Sequence, residues 1–421
     1  MGVVPSMTGN MNRKSISSKE LESLVGLALK EAKTLGADQA EASASQDTGL
    51  SVTARLGDVE NIEFTNDRCI GITVYKDNCK GSATTSDISP TAIREAVTKA
   101  YSFAKSTAED LNSGLADAEL MATKILDLDL EHHWDINAEQ AIALAIKCES
   151  AAMAHDKRIC NSEGATVNTN RGIRAYGNSH GFFGSAPKTS HGISCVVLAE
   201  QDGAKQRDYH YTSSRVPSEL EEVESVGIEA GRKTIARLGA RKIKTTAAPV
   251  LYVPSLARGF IGHAMSAISG NAQYRRSSFL LDAIGKKIFS DFVQVQERPH
   301  IPQGMSSCAY DGEGVATYDR DIIIDGCLDG YILDSYSARR LGLKTTANSG
   351  GVQNLIIPGS DTDKSKLIKE MGSGLVIEEL IGQGVNGVTG DYSRGAAGHW
   401  VENGEIQFPV HEVTIAGNLL D

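Results

Sequence analysis

The sequence predicts an α+β protein of two domains, and three observations lead to this class. Its 421 residues are too many for one compact core, because single cores stop growing at roughly 250–300 residues. Helical and alternating apolar patterns both occur in the first part, whereas the remainder is rich in glycine and strand-like. The fractions of hydrophobic (41%) and charged (23%) residues are those of a globular protein. We therefore expect a flexible N-terminus at 1–18, an N-terminal domain of mixed helix and sheet at 19–244, and a mainly antiparallel β domain at 245–421.

The N-terminal domain is predicted to begin with a helix that is followed by strands. Residues 17–20 form a capping-box pattern, apolar residues follow at helical spacing, and Gly36 marks a natural end. Alternation then predicts strands of an antiparallel sheet with one face exposed to water. Their apolar positions are Leu50, Val52 and Ala54, then Ile62 and Phe64, then Ile70, Ile72 and Val74.

Three more helices are expected in the same domain. The Ser-Pro pair at 89–90 begins the second, because serine caps a helix and proline suits its first turn. The third begins near Asn137, and the fourth is predicted as one long helix over 217–238. Residues 163–211 lie between the third and fourth helices, and their alternating apolar pattern predicts further strands. The sequence shows no internal repeat.

The chain changes character near Lys244, where the domain boundary is predicted. Beyond this point only two segments have a helical pattern, near 257–268 and 364–371. The remaining apolar segments are short and bounded by glycine-rich turns, as is typical of strands. They are found at 250–253, 322–324 and 355–357.

Charge and cysteine usage exclude several functional classes. The formal net charge is −11, and the one short basic cluster, 237–244, lies at a predicted helix end, where the helix dipole favours cations. Direct binding of nucleic acid is not expected, because it needs a basic face. No run approaches the roughly 18 apolar residues of a membrane span. The seven cysteines are scattered without a Cys-x-x-Cys pair, as is typical of reduced thiols in the cytoplasm.

Short catalytic motifs occur but lack their structural context. Residues 177–181 match G-x-S-x-G, yet the following residues cannot open the helix that a nucleophile elbow requires. Residues 382–387 match G-x-G-x-x-G, but they continue into another turn-rich stretch and not into a helix. The ten histidines are dispersed, and no group has the spacing of metal ligands. Pattern alone therefore predicts neither a serine hydrolase, a dinucleotide site nor a zinc site built by this chain.

Longer segments resemble the PmbA (TldE) branch of the TldD/PmbA family, and the resemblance runs from roughly Lys19 to the C-terminus. The segments that carry it are 161–165, 178–182, 194–197, 207–209, 236–242, 262–263, 267–270, 275–280, 325–326, 384–395 and 401–406. The family implies a two-domain intracellular metalloprotease whose C-terminal β domain carries the catalytic helix. In the TldD branch this helix reads His-Glu-x-x-x-His, where the histidines bind the metal with a third ligand and the glutamate acts as general base on metal-bound water.

The resemblance also implies that this chain lacks the metal site and has no catalytic residue. Aligned on Gly262 and His263, the first ligand position is Arg258 and the glutamate position is Gly259, so that only His263 remains. Arginine is permanently cationic and offers no lone pair to a metal, and glycine cannot transfer a proton. Zinc is therefore expected only in a TldD-type partner subunit.

The implied function is that of one subunit in a cytoplasmic complex which cleaves unfolded or extended peptides. The family implies maturation of a peptide-antibiotic precursor, turnover of an antitoxin, and an indirect connection to modulation of DNA gyrase. We hypothesise that the C-terminal sheet of this chain completes a peptide groove by pairing with substrate backbone. Arg275, Arg276, Asn386 and Asp391 are the candidates for lining it, unless they are ordinary surface or turn residues.

Two other functions are compatible with the sequence. The chain could itself be an active metallopeptidase, as a homo-oligomer whose ligands come from other positions. It could also be an adaptor associated with DNA gyrase that has no role in proteolysis. The sequence does not decide whether the isolated chain forms a homodimer.

Overall fold

The computed structural model describes residues 16–421 and has the predicted α+β class, with antiparallel sheets. Most of the N-terminus that was expected to be flexible, residues 1–15, lies outside the described residues. No helix of residues 16–421 is long and apolar enough to cross a membrane.

The first part of the chain is built on one antiparallel sheet of six long strands. They are β1 (Gln39–Arg55), β2 (Asp58–Lys76), β3 (Cys79–Thr85), β4 (Ile159–Asn178), β5 (Phe183–Gln201) and β6 (Ala204–Ser214). Their order across the sheet is β3-β2-β1-β4-β5-β6, so the two central strands, β1 and β4, come from distant parts of the chain. The strands predicted at 62–64 and 70–74 are parts of the single strand β2, because residues 65–69 between them also pair with β1.

Four helices provide the apolar cover of this sheet. They are α1 (Ser18–Thr34), α2 (Pro90–Ala104), α3 (Ala138–Ala154) and α4 (Val223–Ala236). Buried residues of β1 alternate along the strand, which places them on one face of the sheet. One half of this face packs in a core with α1 and α2, and the other half packs in a second core with α3 and α4.

The order of elements in this part repeats, although the sequence shows no repeat. A helix, three antiparallel strands and a second helix occur as α1-β1-β2-β3-α2 and again as α3-β4-β5-β6-α4. The first strands of the two units pair with each other, and the later strands follow outwards on either side. The repeat concerns packing positions, which different apolar residues can fill equally well.

The predicted first residues of the helices are confirmed where a side chain caps the helix. Ser17 accepts a hydrogen bond from the Glu20 backbone N–H at 3.3 Å, and the Glu20 carboxylate accepts one from the Ser17 backbone N–H at 2.8 Å. Asn137 and Gln140 form the same reciprocal pair at α3.

The prediction of one long helix over 217–238 was wrong. A single 3₁₀ turn, Pro217–Glu219, ends at the extended Leu220, and α4 begins only at Val223.

The second part of the chain contains two four-stranded sheets, with orders β10-β9-β8-β11 and β14-β13-β12-β7. The strands of the first are β8 (Val295–Glu297), β9 (Arg320–Ile324), β10 (Cys327–Leu328) and β11 (Leu355–Ile356). The strands of the second are β7 (Val250–Tyr252), β12 (Gly374–Ile381), β13 (Asp391–Glu402) and β14 (Glu405–Asn418). Only β7 and β12 pair in parallel.

Four helices occur in this second part, where the sequence predicted two. They are α5 (Pro254–Ala267), α6 (Gly270–Tyr274), α7 (Ser335–Leu341) and α8 (Lys364–Met371). The predicted helices correspond to α5, which begins three residues earlier than expected, and to α8. The other two are only five and seven residues long, so an apolar period cannot reveal them, although Ser269 and Asp334 cap them.

The two parts of the chain meet through apolar clusters, such as that of Ala116, Val315 and Ala347, and through hydrogen bonds of arginines. Arg339 of α7 donates to the backbone oxygens of Asn112, Gly114 and Leu115, and pairs with Asp117 at 2.8 Å. Arg237, after α4, pairs with Asp208 of its own part at 3.3 Å and with Glu379 of β12. These contacts fix the second part against the first.

Candidate functional site

Helix α5 carries Arg258, Gly259 and His263, the positions that the resemblance aligns with a metal-binding helix. Pro254 occupies its first turn, where the missing N–H costs no hydrogen bond, and Val253 precedes it without a side-chain cap. Arg258 and Gly262, one turn apart, are exposed, whereas Gly259 and His263 are partly buried. No heavy atom lies within 4 Å of the position that a Cβ would take at either glycine, so the helix has open space on this side.

A row of aromatic rings connects α5 to β13. The ring of Phe260 is 4.6 Å from that of Tyr252, edge to face, and 5.6 Å from that of Tyr392, where the two stack. The imidazole of His263 meets the same Tyr392 ring edge to face at 6.2 Å. These rings fix His263, one helical turn beyond Arg258 and Gly259, against the sheet.

Arg394 lies two residues after Tyr392 in β13, so both side chains point to the face of the sheet that carries α5. Burial lowers the pKa of His263, and the Arg394 guanidinium lowers it further. Burial also raises the pKa of Tyr252, and its hydrogen bond with Tyr392 adds to this. A cationic guanidinium and a neutral imidazole therefore share this part of the helix–sheet interface.

The residues at this position do not match the donor set of a catalytic zinc ion. Such a site needs about three protein ligands with lone pairs, and here one imidazole stands beside a permanent cation. Among residues 16–421 there is no group of three or more histidine, cysteine, aspartate or glutamate side chains that could hold a metal ion. The metal that the family implies has no suitable set of ligands at α5.

Two of the four predicted groove residues, Arg275 and Arg276, follow α6 and are both exposed. The Arg275 guanidinium lies 5.8 Å from the ring centre of Tyr274. Arg276 has a positive φ of 52° and pairs with the exposed Asp282 at 3.1 Å. An exposed ion pair of this kind contributes little to stability, so both guanidinium groups are accessible to a ligand.

The other two predicted groove residues, Asn386 and Asp391, stabilise a turn. The Asn386 side chain accepts hydrogen bonds from the backbone N–H groups of Val388 and Thr389 at 2.9 and 3.3 Å. Asp391 accepts from the Thr389 hydroxyl at 2.6 Å and from the Asn418 amide at 3.1 Å. The G-x-G-x-x-G segment, residues 382–387, lies in the same loop between β12 and β13, as the sequence indicated.

These two pairs of residues are brought near each other by one backbone contact. The N–H of Phe279 donates to the carbonyl oxygen of Gly387 at 3.1 Å, which joins the segment after α6 to the turn before β13. All four residues thus lie in one neighbourhood that continues into Tyr392. Their function in peptide binding stays a prediction.

An edge strand and a groove lie on the same sheet. Within residues 16–421, the outer edge of β14 carries only a short bridge to Arg241. A groove of 570 Å³ runs between segment 242–248 and residues 412–416 of β14. Leu375, Trp400 and Ile415 are among its apolar lining.

The sequence did not single out Tyr252, Tyr392 or Arg394. Tyr392 and Arg394 lie in the segment 384–395 that resembles the family, and their i, i+2 spacing places them on one face of a strand. Their proximity to His263 depends on how α5 crosses the sheet, and one sequence gives no signal for this.

Three models of one metallopeptidase family match the chain. They are PmbA/TldA metallopeptidase domain 1 at residues 40–104, the central domain at 131–238 and the C-terminal domain at 245–421. Metalloprotease PmbA of Escherichia coli O157:H7 is 48% identical over 403 residues, which cover 96% of this chain and 89% of the relative. The chain belongs to the PmbA branch of the PmbA/TldD metallopeptidase family, as its sequence indicated.

Solved structures agree on the fold. A Bacteroides thetaiotaomicron protein, described as a candidate modulator of DNA gyrase, has a TM-score of 0.90 at 24% identity and covers 96% of this chain and 92% of its own. TldE from Thermococcus kodakarensis has a TM-score of 0.80 at 19% identity, with the same coverage of both chains. At these identities the similarity concerns the fold alone.

Proposed function

We propose that this chain is the non-catalytic subunit of a cytoplasmic PmbA/TldD-type metalloprotease, which acts with a zinc-containing TldD-type subunit on unfolded or extended peptides. One observation carries the proposal. At the position that the resemblance aligns with the family's metal-binding helix, α5 presents Arg258, Gly259 and a single His263, whose pKa is lowered by burial and by the guanidinium of Arg394.

Electrostatics supports the absence of a metal in this chain. A guanidinium near the imidazole disfavours a second cation there for the same reason that it disfavours a proton. Gly259 cannot act as a base towards a metal-bound water, so the second requirement of the chemistry is missing too. The hydrolytic step is therefore assigned to the partner subunit.

The second sheet supports a role in peptide binding. The outer edge of β14 offers backbone donors and acceptors, and an extended peptide can add to such an edge irrespective of its side chains. The groove beside residues 412–416, whose lining is part polar and part apolar, would accommodate alternate side chains of that peptide. Further candidates for contacts, near the end of the sheet where Asp391 pairs with Asn418, are Arg275, Arg276, Asn386 and Asp391. Substrates of this kind include precursors of peptide antibiotics and antitoxins.

The description of the 48% identical relative as a metalloprotease favours one alternative, in which this chain cleaves peptides by itself. That function would need ligands other than the residues of α5. Metal analysis of the purified chain separates the two functions, because an active metallopeptidase would contain close to one zinc ion per chain.

The test is a peptide-cleavage assay with this chain alone, a TldD-type subunit alone and both together. We expect cleavage of an unfolded peptide only in the mixture, or a strong increase there over the TldD-type subunit alone. As a control, the TldD-type subunit is stripped of metal before mixing, and activity should return only when zinc is added to it. Cleavage by this chain alone would contradict the proposal.

A further inference from the structure

Two nitrogen-bearing side chains at the α5–β13 interface lack partners in the described chain. Nε of Arg394 is buried and has no hydrogen-bond partner within residues 16–421. No carboxylate of the same residues lies within ion-pairing distance of Arg394, although eleven other arginines have one. A buried donor without a partner costs free energy, so a ligand that satisfies it gains affinity.

The surroundings of Arg394 are preorganised. Tyr392, on the same strand face, holds the imidazole of His263 at 6.2 Å and stacks on Phe260 at 5.6 Å. Within residues 16–421, neither ring nitrogen of His263 takes part in a hydrogen bond. On the helix above, the Cβ positions of Gly259 and Gly262 have open space around them. The interface thus combines a guanidinium and an imidazole without partners in the described chain with a helix whose glycines are not covered by other side chains of that chain.

We propose that Arg394 and His263 form a binding site for a carboxylate of an extended peptide. A guanidinium offers a planar fork of donors that matches the two oxygens of a carboxylate, and such charge-assisted pairs are about twice as strong as neutral hydrogen bonds. The imidazole supplies a further donor from a ring held against Tyr392. The inference rests on the proposed peptide-binding function and adds the chemistry that this subunit recognises.

The carboxylate can come from two parts of a peptide, its C-terminus or an aspartate or glutamate side chain. Both present the same two oxygens, but they differ in how the peptide must enter. A terminal carboxylate would place the end of the substrate at α5 and set its direction along the sheet. An acidic side chain would allow the peptide to continue past this point.

The experiment measures binding of fluorescent, unfolded peptides to the full-length chain by anisotropy. Three peptides share one sequence: one has a free C-terminus, one a C-terminal amide, and one a C-terminal amide with a single internal aspartate. The variants are Arg394→Gln, which removes the charge, and Arg394→Lys, which keeps it without the planar fork. Arg94→Gln on α2, whose guanidinium forms an exposed pair with Glu31 at 3.7 Å, is the control for an equal change in net charge.

We expect a peptide with a carboxylate to bind the wild-type chain about tenfold more tightly than the plain amide, given the strength of hydrogen bonds to charged groups. Arg394→Gln should abolish this preference, Arg394→Lys should keep part of it, and Arg94→Gln should leave it unchanged. The free C-terminus and the internal aspartate show which source the site takes. Equal binding of all three peptides, absence of binding, or an unaltered preference in Arg394→Gln would each overturn the proposal.

This outcome is separable from that of the proposed function. Binding is measured on this chain without a partner subunit, and cleavage is measured on the mixture. Peptide cleavage by the mixture without any carboxylate preference would contradict the proposed carboxylate site but not the proposed function. A carboxylate preference together with zinc-dependent cleavage by this chain alone would contradict its proposed role as the non-catalytic subunit. The proposed carboxylate site would remain supported.

Discussion

At the scale of single residues, His263 on α5 is surrounded by aromatic rings and a guanidinium. His263 is partly buried, and the Arg394 guanidinium acts on it across the α5–β13 interface. Both effects favour the neutral imidazole over the imidazolium. The residue that survives from the family's motif is thus kept uncharged by its surroundings.

Substitution of Arg394 by glutamine should raise the pKa of His263. Burial, the larger cause, remains in the variant, so the pKa should rise but stay below its ordinary value. NMR titration of the labelled histidine ring measures this directly. An unchanged pKa in Arg394→Gln would show that the guanidinium does not act on this ring.

A second perturbed residue, Glu313, lies close to the junction between the two parts of the chain. Its carboxylate accepts a hydrogen bond from the backbone N–H of Ser335 at 3.1 Å. Burial, with a smaller effect of the neighbouring Asp311 and Asp334, raises the pKa of Glu313 to about 7. The folded chain therefore keeps a proton on Glu313 at pH values where the unfolded chain has released it.

This shift predicts that stability falls as pH rises from about 4.5 to 7. Below this window Glu313 is protonated in both states, and within it only the folded state holds the proton, so each pH unit costs about 1.4 kcal/mol of unfolding free energy at most. Glu313→Gln keeps the acceptor for Ser335 and should flatten the profile in this window. Urea denaturation at a series of pH values tests it, and identical slopes for variant and wild type would contradict it.

At the scale of elements, close helix packing depends on particular glycines. Gly227 in α4 faces α3, and a Cβ there would lie 2.0 Å from the carbonyl oxygen of Cys148. Gly26 in α1 is also in a helix interior, but no atom lies within 4 Å of its Cβ position. Glycine is therefore required for close packing in α4, whereas α1 has room for a larger side chain at Gly26.

Alanine substitution at these two glycines should have opposite effects on stability. Gly227→Ala forces α3 and α4 apart and should lower the free energy of unfolding by about 2 kcal/mol or more, as overpacking does. Gly26→Ala should raise it by about 0.5–1 kcal/mol, because alanine favours the helix. Chemical denaturation of both variants makes the comparison, and a stable Gly227→Ala would show that the helices can shift at little cost.

The elements that the sequence predicted well are those whose ends are set by local chemistry. The capping box at Ser17 and the cap at Asn137 fix the starts of α1 and α3, because the bonds involved span three residues. Local sequence patterns also gave wrong or missing helix predictions where the pattern was incomplete. The proline at 217 starts only a 3₁₀ turn, since Leu220 leaves the helical conformation. α6 and α7 were missed because five to seven residues do not complete two helical turns.

The candidate site was predictable only in part for a related reason. The loss of donors at Arg258 and Gly259 is visible in the sequence because these residues share one helix with His263. The approach of Arg394 depends on how α5 crosses β13, and no periodic pattern encodes that crossing. Asn386 and Asp391 were chosen as possible contacts to a peptide, and the structure also gives their side chains bonds within a turn.

At the scale of the whole molecule, α7 contributes several hydrogen bonds to the junction between the two parts, beside the junction's apolar contacts. Arg339 makes four contacts with residues 112–117, and the hydroxyl of Tyr336 donates to Asp110 at 2.7 Å. These bonds lie partly out of water, where a charged donor to backbone oxygens is worth more than an exposed ion pair.

Removal of the Arg339 side chain should weaken the junction without unfolding either part. We expect Arg339→Ala to lower the thermal unfolding temperature and to broaden or split the calorimetric transition, because four acceptors lose their donor. The matched control is Arg340→Ala, the next residue, whose guanidinium packs over the Tyr274 ring at 5.1 Å within the second part. If both variants unfold alike, the junction does not depend on Arg339.

The repeated order of elements in the first part has a consequence for how the chain assembles. The two units share one sheet through the pairing of β1 with β4 from Glu41 to Ala54, so each unit alone would present a long, bare strand to solvent. A break in the loop between α2 and α3 would leave two fragments with complementary edges. Such fragments, made separately, should associate through these edges. In the intact polypeptide the two edges are covalently linked, so their pairing is intramolecular.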